Sequence, residues 1–366
     1  MDTEKKIAIA FNHLLNFNNF KLKTILEKFS SLEKAYFADK SDLYKLPWRK
    51  KSIEIFLSKR KIANIDKIIE KIEKNEILVS FIKEDSYPEL LKNIYDPPPI
   101  LYYQGNLKTN WQKSLSIVGS RHPSFYGQKV VKNIVSNLVN SDLNIISGLA
   151  IGIDSLAHEE SLLNNLKTVA VLGSGLNENV IYPKSNKKLI KNIVENRGLL
   201  ISEFAPLTPP WPQNFPKRNR IIAGLTNKTL VIEAGERSGS LITCRLALEE
   251  GRDVLTVVGD IFSPKSKGSN ELAKNGAIII NQAEDILHLF NLKKEELNQK
   301  KEINIKIKTD NKIEEKIIEF LQDGAKNIEE IIAKLNKNIS HILIAINSLE
   351  LKGHIKDLGA KNYVLN

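Results

Sequence analysis

Cysteine is almost absent from this chain of 366 residues, since Cys244 is the only one. A single cysteine cannot form an intrachain disulfide, and this excludes the small secreted domains that disulfides hold together. The composition instead fits a reducing compartment. We therefore expect a cytoplasmic protein.

Long apolar runs are also lacking. No stretch reaches the roughly 18 apolar residues that a membrane-spanning helix needs. The start, MDTEKKIAIAFNHLL, lacks a basic segment followed by an apolar segment and a small-residue cleavage site, the pattern of a secretory signal. We predict no membrane partner.

The common nucleotide and metal motifs are missing as well. No GxxxxGK[S/T] occurs, and GSGLNE places Glu178 where GxGxxG needs its third glycine. The run LNIIS ends without the acidic residue that would bind a ribose 2′-hydroxyl. The six histidines are scattered, with no paired spacing and no partner cysteines. These absences predict neither a dinucleotide cofactor nor a zinc site.

Positive charge is present in excess. Lys and Arg number 54 against 43 Asp and Glu, which gives a formal net charge of +11. Such a balance favours a polyanionic partner, but lysine also serves simply to keep a surface soluble. Net charge alone leaves both explanations open.

The middle of the chain alternates short apolar runs with helical stretches. Runs that are apolar throughout are typical of parallel strands covered on both faces, and their alternation with helices indicates an open α/β sheet. We predict an extended Rossmann-like, doubly wound parallel sheet. An additional strand, ILYYQG, precedes it. The predicted parallel strands are LSIVGS, LNIISG, TVAVLGSG, GLLISE, KTLVIEAG, DVLTVVG and GAIIIN.

The two ends of the chain have a different character. Helical periodicity without a strand pattern fills the first 80 residues, and three amphipathic helices followed by two short strands predict a C-terminal winged helix. The predicted domains are a helical domain at 1–80, the Rossmann-like domain at 81–290, a charged linker at 291–310 and the winged helix at 311–366.

Ligands of open α/β sheets bind beyond the carboxyl ends of the strands, where the glycine turns lie. Glycine permits close approach of a ligand, helix N-termini attract anions, and arginine grips phosphate. Several cations along one edge suit repeated phosphates better than a single one. The predicted binding residues are Gly119, Ser120, Arg121, Lys184, Arg218, Asn219, Arg220, Ser238, Gly239, Ser240 and Lys267.

Other roles stay open for some side chains near these turns. Arg218 and Arg220 are alternatively internal ion-pair partners of Glu203 or Glu233. Asp154 could bond His158, four residues on, or hold the amides of the turn, while His158 itself fits helix packing better than a binding role. Three aromatic residues are candidates either for base stacking or for the core: Phe125, Tyr126 and Tyr182.

The ordered motifs resemble one family. The chain resembles the DNA-processing protein A family (DprA/Smf) from about residue 85 to 290, and the preceding helical segment is similar to that family's N-terminal domain. The motifs that carry the resemblance are IVGSR, SGLAIGIDSLAH, AVLGSGL, IYPKSN, SEFAP, FPKRNRIIAGL, EAGERSGSLIT and KGSNELAKNGA.

The resemblance implies a non-catalytic protein that binds single-stranded DNA. It also implies a homodimer formed through the Rossmann-like domain, and a role in protecting incoming DNA and loading the RecA recombinase during natural transformation. The family's basic pocket uses the arginine of the GSR turn and the lysine of the YPK segment. In this chain these are Arg121 and Lys184.

Two rival functions remain. A Rossmann-like phosphoribohydrolase of nucleoside monophosphates would need the glutamate of PGGxGTxxE, but aligning that motif with RSGSLIT places Thr243 at this position. A duplex-DNA regulator would read DNA through the winged helix. Its recognition helix, ISHILIAINSLEL, has very few cations to meet phosphates.

Overall fold

The structure is a computed structural model, and it describes residues 2–15, 17–292, 312–321, 326–335, 337–357 and 361–365. The chain divides into two compact units, Met1–Lys300 and Lys301–Asn366. The predicted linker falls almost entirely outside the described residues. In the part of the chain that is described, no helix combines the length and apolar character needed to cross a bilayer.

The first unit is built on a nine-stranded sheet with the order β1-β2-β6-β5-β4-β3-β7-β8-β9. Strands β3 to β9 are all parallel, whereas β1 and β2 are antiparallel additions beside β6. The strands are β1 (Leu78–Phe81), β2 (Ile100–Gly105), β3 (Ser114–Gly119), β4 (Asn144–Ser147), β5 (Thr168–Val171), β6 (Leu199–Ser202), β7 (Lys228–Ile232), β8 (Asp253–Val257) and β9 (Ile278–Ile279).

Chain order runs outward from β3 in both directions, and this is the signature of a doubly wound sheet. The predicted fold class is thus confirmed, including all seven parallel strands. The prediction that residues 1–80 contain no strand is wrong, because β1 begins at Leu78. The predicted domain boundary after residue 80 falls within this strand. Its apolar run is short and pairs only with an antiparallel neighbour at the sheet edge.

Helices cover both faces of the sheet. The helices of the first unit are α1 (Thr3–Leu14), α2 (Asn19–Phe29), α3 (Leu32–Phe37), α4 (Lys40–Leu43), α5 (Lys50–Arg60), α6 (Ile65–Lys74), α7 (Glu89–Lys92), α8 (Phe125–Asn137), α9 (Ile153–Leu163), α10 (Lys187–Glu195), α11 (Asn214–Gly224), α12 (Gly239–Glu249), α13 (Lys267–Lys274) and α14 (Ala283–Leu289).

The burial pattern explains why the strands are apolar throughout. Leu115 and Ile117 of β3 pack in a cluster with α8 and α9, while Val118 of the same strand packs in the opposite cluster with α11 and α12. Alternate side chains of one strand therefore enter two different cores, and both faces require apolar residues.

The N-terminal helices pack directly on this sheet. Phe11 of α1 stacks on Phe56 of α5 with ring centroids 5.0 Å apart. Their cluster continues into the sheet through Ala170 and Leu200. The Tyr102 hydroxyl on β2 also donates to Oδ1 of Asn12, at 3.1 Å. The segment predicted as a helical domain thus shares one compact unit with the sheet.

The second unit has a small apolar core of its own. Its described elements are three helices and a three-stranded antiparallel sheet, so the strand Lys326–Asn327 adds to the two strands predicted, while its assignment as a winged helix stays a prediction. The elements are the helices Lys312–Leu321, Ile328–Leu335 and Ile339–Leu351 and the strands Lys326–Asn327, Ile355–Asp357 and Asn362–Leu365.

Candidate nucleic-acid interface

The turn after β3 lies at the carboxyl edge of the sheet, between the turns of its two neighbours. The Ser120 amide donates to the Glu233 carbonyl after β7 at 2.8 Å, and the Ser120 carbonyl accepts from the Ile153 amide after β4 at 3.1 Å. A Cβ on Gly119 would lie 2.0 Å from the Ile232 carbonyl oxygen. The GSR turn is therefore held on both sides, and its first position must be glycine.

A glycine and a buried carboxylate hold the turn after β4 in its conformation. Gly152 has φ +85°, and a Cβ there would lie 2.4 Å from the Ser120 carbonyl oxygen. The Asp154 carboxylate accepts from the amides of Gly148 at 3.1 Å and Ala150 at 3.4 Å. Burial raises the pKa of Asp154, and the charge of Arg218 opposes that rise. Of the two roles that the sequence allows Asp154, the structure shows the second.

His158, on α9, is a packing residue inside the protein. It is fully buried, and its Nδ1 lies 2.6 Å from the Thr168 hydroxyl. Burial lowers its pKa to about 3, and the Arg218 charge adds to that effect. The imidazole is neutral at physiological pH and does not face a ligand.

Glu233 organises the turn after β7, a role that was not predicted from the sequence. It has φ +56°, and its Oε2 accepts from the Ser124 amide at 2.6 Å. A Cβ on Gly127 would lie 2.6 Å from the same oxygen. Glu233 thus holds the N-terminus of α8 and is no partner of the arginines. The segment EAG, which follows the apolar run of β7, is the only feature of the sequence that points to this role.

Arg121 and Lys184 are two cations that are available at this edge. Both are exposed, and within the described part of the chain neither side chain makes a hydrogen bond or an ion pair. The Lys184 segment is nevertheless fixed, because Nδ2 of Asn186 donates to the Leu149 carbonyl at 2.9 Å and to the Ser155 hydroxyl at 2.8 Å. Rigid turns therefore present two unpaired cations to solvent.

Arg218 requires a correction, because the structure places it inside the protein. It is 4% exposed, and its Nη1 donates to the carbonyls of Gly148, at 2.5 Å, and Val171. Burial lowers its pKa to about 10, while the carboxylate of Asp154 opposes that shift. Arg218 ties α11 to the strand ends and is not placed to meet a phosphate.

Arg220 requires the same correction. Its two terminal nitrogens bind the two carboxylate oxygens of Glu203 at 2.7 and 2.8 Å, and its Nε donates to the Asp96 carbonyl at 2.9 Å. Burial opposes ionisation of Glu203, but the charges of Arg220 and Lys217 hold the pKa of that carboxyl below its usual range. The internal ion pair with Glu203, the alternative considered above, is what the structure shows.

The remaining predicted residues lie around α11 to α13. Asn219 accepts from Nε of Arg218 at 3.2 Å and is half-buried. The hydroxyls of Ser238 and Ser240 lie 2.7 Å apart at the start of α12, next to the exposed Gly239. Lys267 is exposed and pairs with Glu236 at 3.3 Å.

The three candidate aromatic residues belong to the surface. Phe125 is 73% exposed, Tyr126 47% and Tyr182 52%. The Tyr126 hydroxyl donates to the Val258 carbonyl at 2.8 Å, and the Tyr182 ring contacts Phe215 edge-on with centroids 5.6 Å apart. All three rings are therefore available near the turns without being core residues.

Comparisons with known proteins now identify the family. A family model described as DNA recombination-mediator protein A matches residues 78–291, an interval that contains every predicted site residue. The chain belongs to this family. The DNA processing protein DprA of Streptococcus pneumoniae is 46% identical over 209 residues, which make up 57% of this chain and 73% of that protein. Protein Smf of Synechocystis is 35% identical over 284 residues, 76% of this chain and 71% of its own.

Two solved structures of DNA processing protein A are also similar. The X-ray structure of DprA from Streptococcus pneumoniae has a TM-score of 0.67 at 35% identity, covering 79% of this chain and 98% of that one. A Helicobacter pylori structure, described for its unique single-stranded DNA binding mode, has a TM-score of 0.52 at 27% identity and covers 58% and 95%. The family membership rests on sequence and fold together.

Proposed function

We propose that this protein binds single-stranded DNA along the carboxyl edge of its sheet, with Arg121 and Lys184 as the principal phosphate ligands. The observation that carries the proposal is that both cations are exposed and unpaired on turns that internal hydrogen bonds hold. Such cations neutralise phosphates and release counterions, and exposed aromatic residues nearby offer surfaces for stacking. The single-stranded DNA binding of the Helicobacter pylori relative supports this choice of ligand.

The proposed contact set is smaller than the set predicted from sequence. It keeps the two unpaired cations, the GSR turn, the start of α12 and the exposed Lys267, and it omits the two internally bonded arginines. Its members are Gly119, Ser120, Arg121, Lys184, Ser238, Gly239, Ser240 and Lys267, with Asn219 at its margin.

The proposed biological role follows the family description of a recombination mediator. We infer that the protein acts as a cytoplasmic homodimer, protects incoming single strands and helps to load the RecA recombinase during natural transformation. In this role it needs no cofactor and no catalytic step. Glu233, the carboxylate that directly follows β7, is 4% exposed and already bound to the Ser124 amide, which disfavours its use in glycosidic cleavage.

The decisive experiment is a titration of the protein with labelled oligo-dT and with duplex of equal length at several salt concentrations. We expect a strong preference for the single strand and a steep fall of affinity with salt. The variants Arg121→Ala and Lys184→Ala should each weaken binding. Lys274→Ala, an exposed lysine at the far end of α13, is the matched control and should leave affinity unchanged. Unchanged affinity in the Arg121→Ala, Lys184→Ala double variant would disprove the assigned site.

Recombinase loading needs a separate test. The wild-type protein should shorten the lag before RecA filaments form on single strands covered by single-strand-binding protein, and the double variant should not. A lag equally short with the double variant would contradict a role that depends on this DNA site.

A further inference from the structure

A second cleft lies beside the proposed DNA site, between the N-terminal helices and the sheet. It has a volume of about 510 Å³ and lies between α1, α2, α5 and the segment from β6 to α11. The residues of its lining that matter here are Lys21, Lys59, Glu203, Phe204, Trp211 and Lys217.

The lining of this cleft is positive. Three lysines contribute to it. Among the described residues of the lining, Glu203 is the only carboxylate, and it is paired with the buried Arg220 at 2.7 Å while also lying 3.2 Å from Lys217. Burial lowers the pKa of Lys21 to about 8, and the neighbouring charge of Lys217 contributes to that effect. Cations held together in a partly desolvated cleft favour the entry of an anion.

Aromatic rings lie beside these cations. Nζ of Lys217 is 5.5 Å from the centre of the Phe204 ring, and Trp211 is 51% exposed. A bare phosphate would need only the lysines. Lysines combined with accessible rings match a nucleotide, which offers a phosphate to the cations and a base to the rings.

Helix α11 links the cleft to the Lys184 segment. Tyr182, two residues before Lys184, contacts Phe215 of α11, and α11 also carries Lys217. The loops that follow β5 and β6 are joined by a hydrogen bond from the Gly175 amide to the Thr208 carbonyl at 2.9 Å. One helix therefore contacts the Lys184 segment through Phe215 and lines the cleft through Lys217.

We infer that this cleft binds further nucleotides of the same single strand that Arg121 and Lys184 hold, so that the N-terminal helices form part of the DNA-binding surface. The inference rests on the proposed function. It assigns to α2 and α5 a contact role, through Lys21 and Lys59, in addition to their packing on the sheet.

The test compares a short and a long oligo-dT, of about 6 and about 20 nucleotides, because the longer one can span both sites. We expect Lys59→Gln with Trp211→Ala to weaken binding of the long strand about three- to tenfold and to leave the short strand unaffected. Lys51→Gln, an exposed lysine on α5 outside the cleft, is the matched control. Both cleft side chains are exposed, so the double variant should fold.

The outcomes separate this inference from the proposed function. If Arg121→Ala leaves the affinity for the short strand unchanged, the proposed site fails. If the short strand depends on Arg121 but the cleft variant leaves long-strand affinity unchanged, only the cleft inference fails. Thymidine monophosphate that binds the cleft without any effect on the long strand would also overturn it. Photocrosslinking of 5-iodouracil-substituted oligo-dT should label Trp211 or Phe204, and labels confined to the Arg121 region would contradict the inference.

Discussion

Two pairs of cations lie at the same edge of the sheet and differ in almost every physical respect. Arg121 and Lys184 are exposed on glycine-rich or proline-containing turns and make no ion pair among the described residues. Arg218 and Arg220, on α11, are 4% and 8% exposed and are engaged by carbonyls and carboxylates. The first pair has its charge available for a ligand, whereas the second pair uses its charge inside the protein.

This difference shows that a basic residue beside a phosphate-binding turn is not by itself a phosphate ligand. Once a guanidinium is desolvated, its charge must be balanced by internal acceptors, and those acceptors then compete with any ligand. Arg218 holds the turn after β4, to which Asn186 anchors the Lys184 segment, and Arg220 ties α11 to Glu203 and Asp96. Substitutions should therefore separate stability from binding.

The largest expected effect is on stability, from Arg220→Ala. Removing this side chain leaves the buried Glu203 carboxylate without its bidentate partner, and we expect unfolding free energy to fall by about 3–5 kcal/mol. Urea denaturation followed by circular dichroism measures this change. Arg121→Ala, the matched exposed variant, should lie within about 0.5 kcal/mol of the wild type. A similar loss in both variants would abolish the distinction between the two pairs.

The next effect is on binding, from Arg121→Ala. Loss of a charge-assisted hydrogen bond worth about 1.5–3 kcal/mol should weaken single-strand affinity about 10- to 100-fold. The log-log dependence of affinity on salt should become shallower by about 0.7. Fluorescence anisotropy at several salt concentrations checks both numbers. A loss of affinity with an unchanged salt slope would mean that Arg121 does not contact a phosphate.

These contrasts also show how much of the fold and of the site can be predicted from the sequence. Apolar runs predicted the seven parallel strands, because a strand buried on both faces needs such a run. The segment FPKRNR showed only that three cations stand close together. Which of them are buried depends on the helix that begins at Asn214, because Lys217 and Arg220, three residues apart, then share the face towards Glu203.

Long-range partners were the part that could not be predicted. Glu233 bonds an amide more than a hundred residues away, and Asn186 anchors the Lys184 segment to the turn after β4. Neither contact leaves a local pattern, because it depends on which strand ends meet at the sheet edge. The glycine turns and the family resemblance both pointed to Arg121 and Lys184, but not to the residues that hold them.

His158 offers a pH-dependent effect within the buried framework. Its folded pKa of about 3 lies below the ordinary value of 6.5, so the unfolded chain binds this proton first. The stability gained from the neutral ring is complete above pH 6.5 and is lost as pH falls towards 3, by about 1.4 kcal/mol per pH unit. Unfolding free energy of His158→Asn should therefore fall less steeply over this range. Equal slopes for variant and wild type would contradict a buried neutral imidazole.

The smallest effect should come from Lys267, which is intermediate between the two pairs. It is exposed like Arg121, yet it has a partner in Glu236, at 3.3 Å, which is itself exposed. An exposed ion pair is worth at most about 1 kcal/mol, so the lysine can exchange this partner for a phosphate at little cost. We expect Lys267→Ala to weaken single-strand binding about twofold, and Glu236→Gln to strengthen it by a similar factor, because the lysine is then released.

Anisotropy titrations at low salt resolve such changes. Opposite signs for the two variants would place Lys267 with Arg121 as a phosphate ligand, whereas no change in either would place it outside the DNA path.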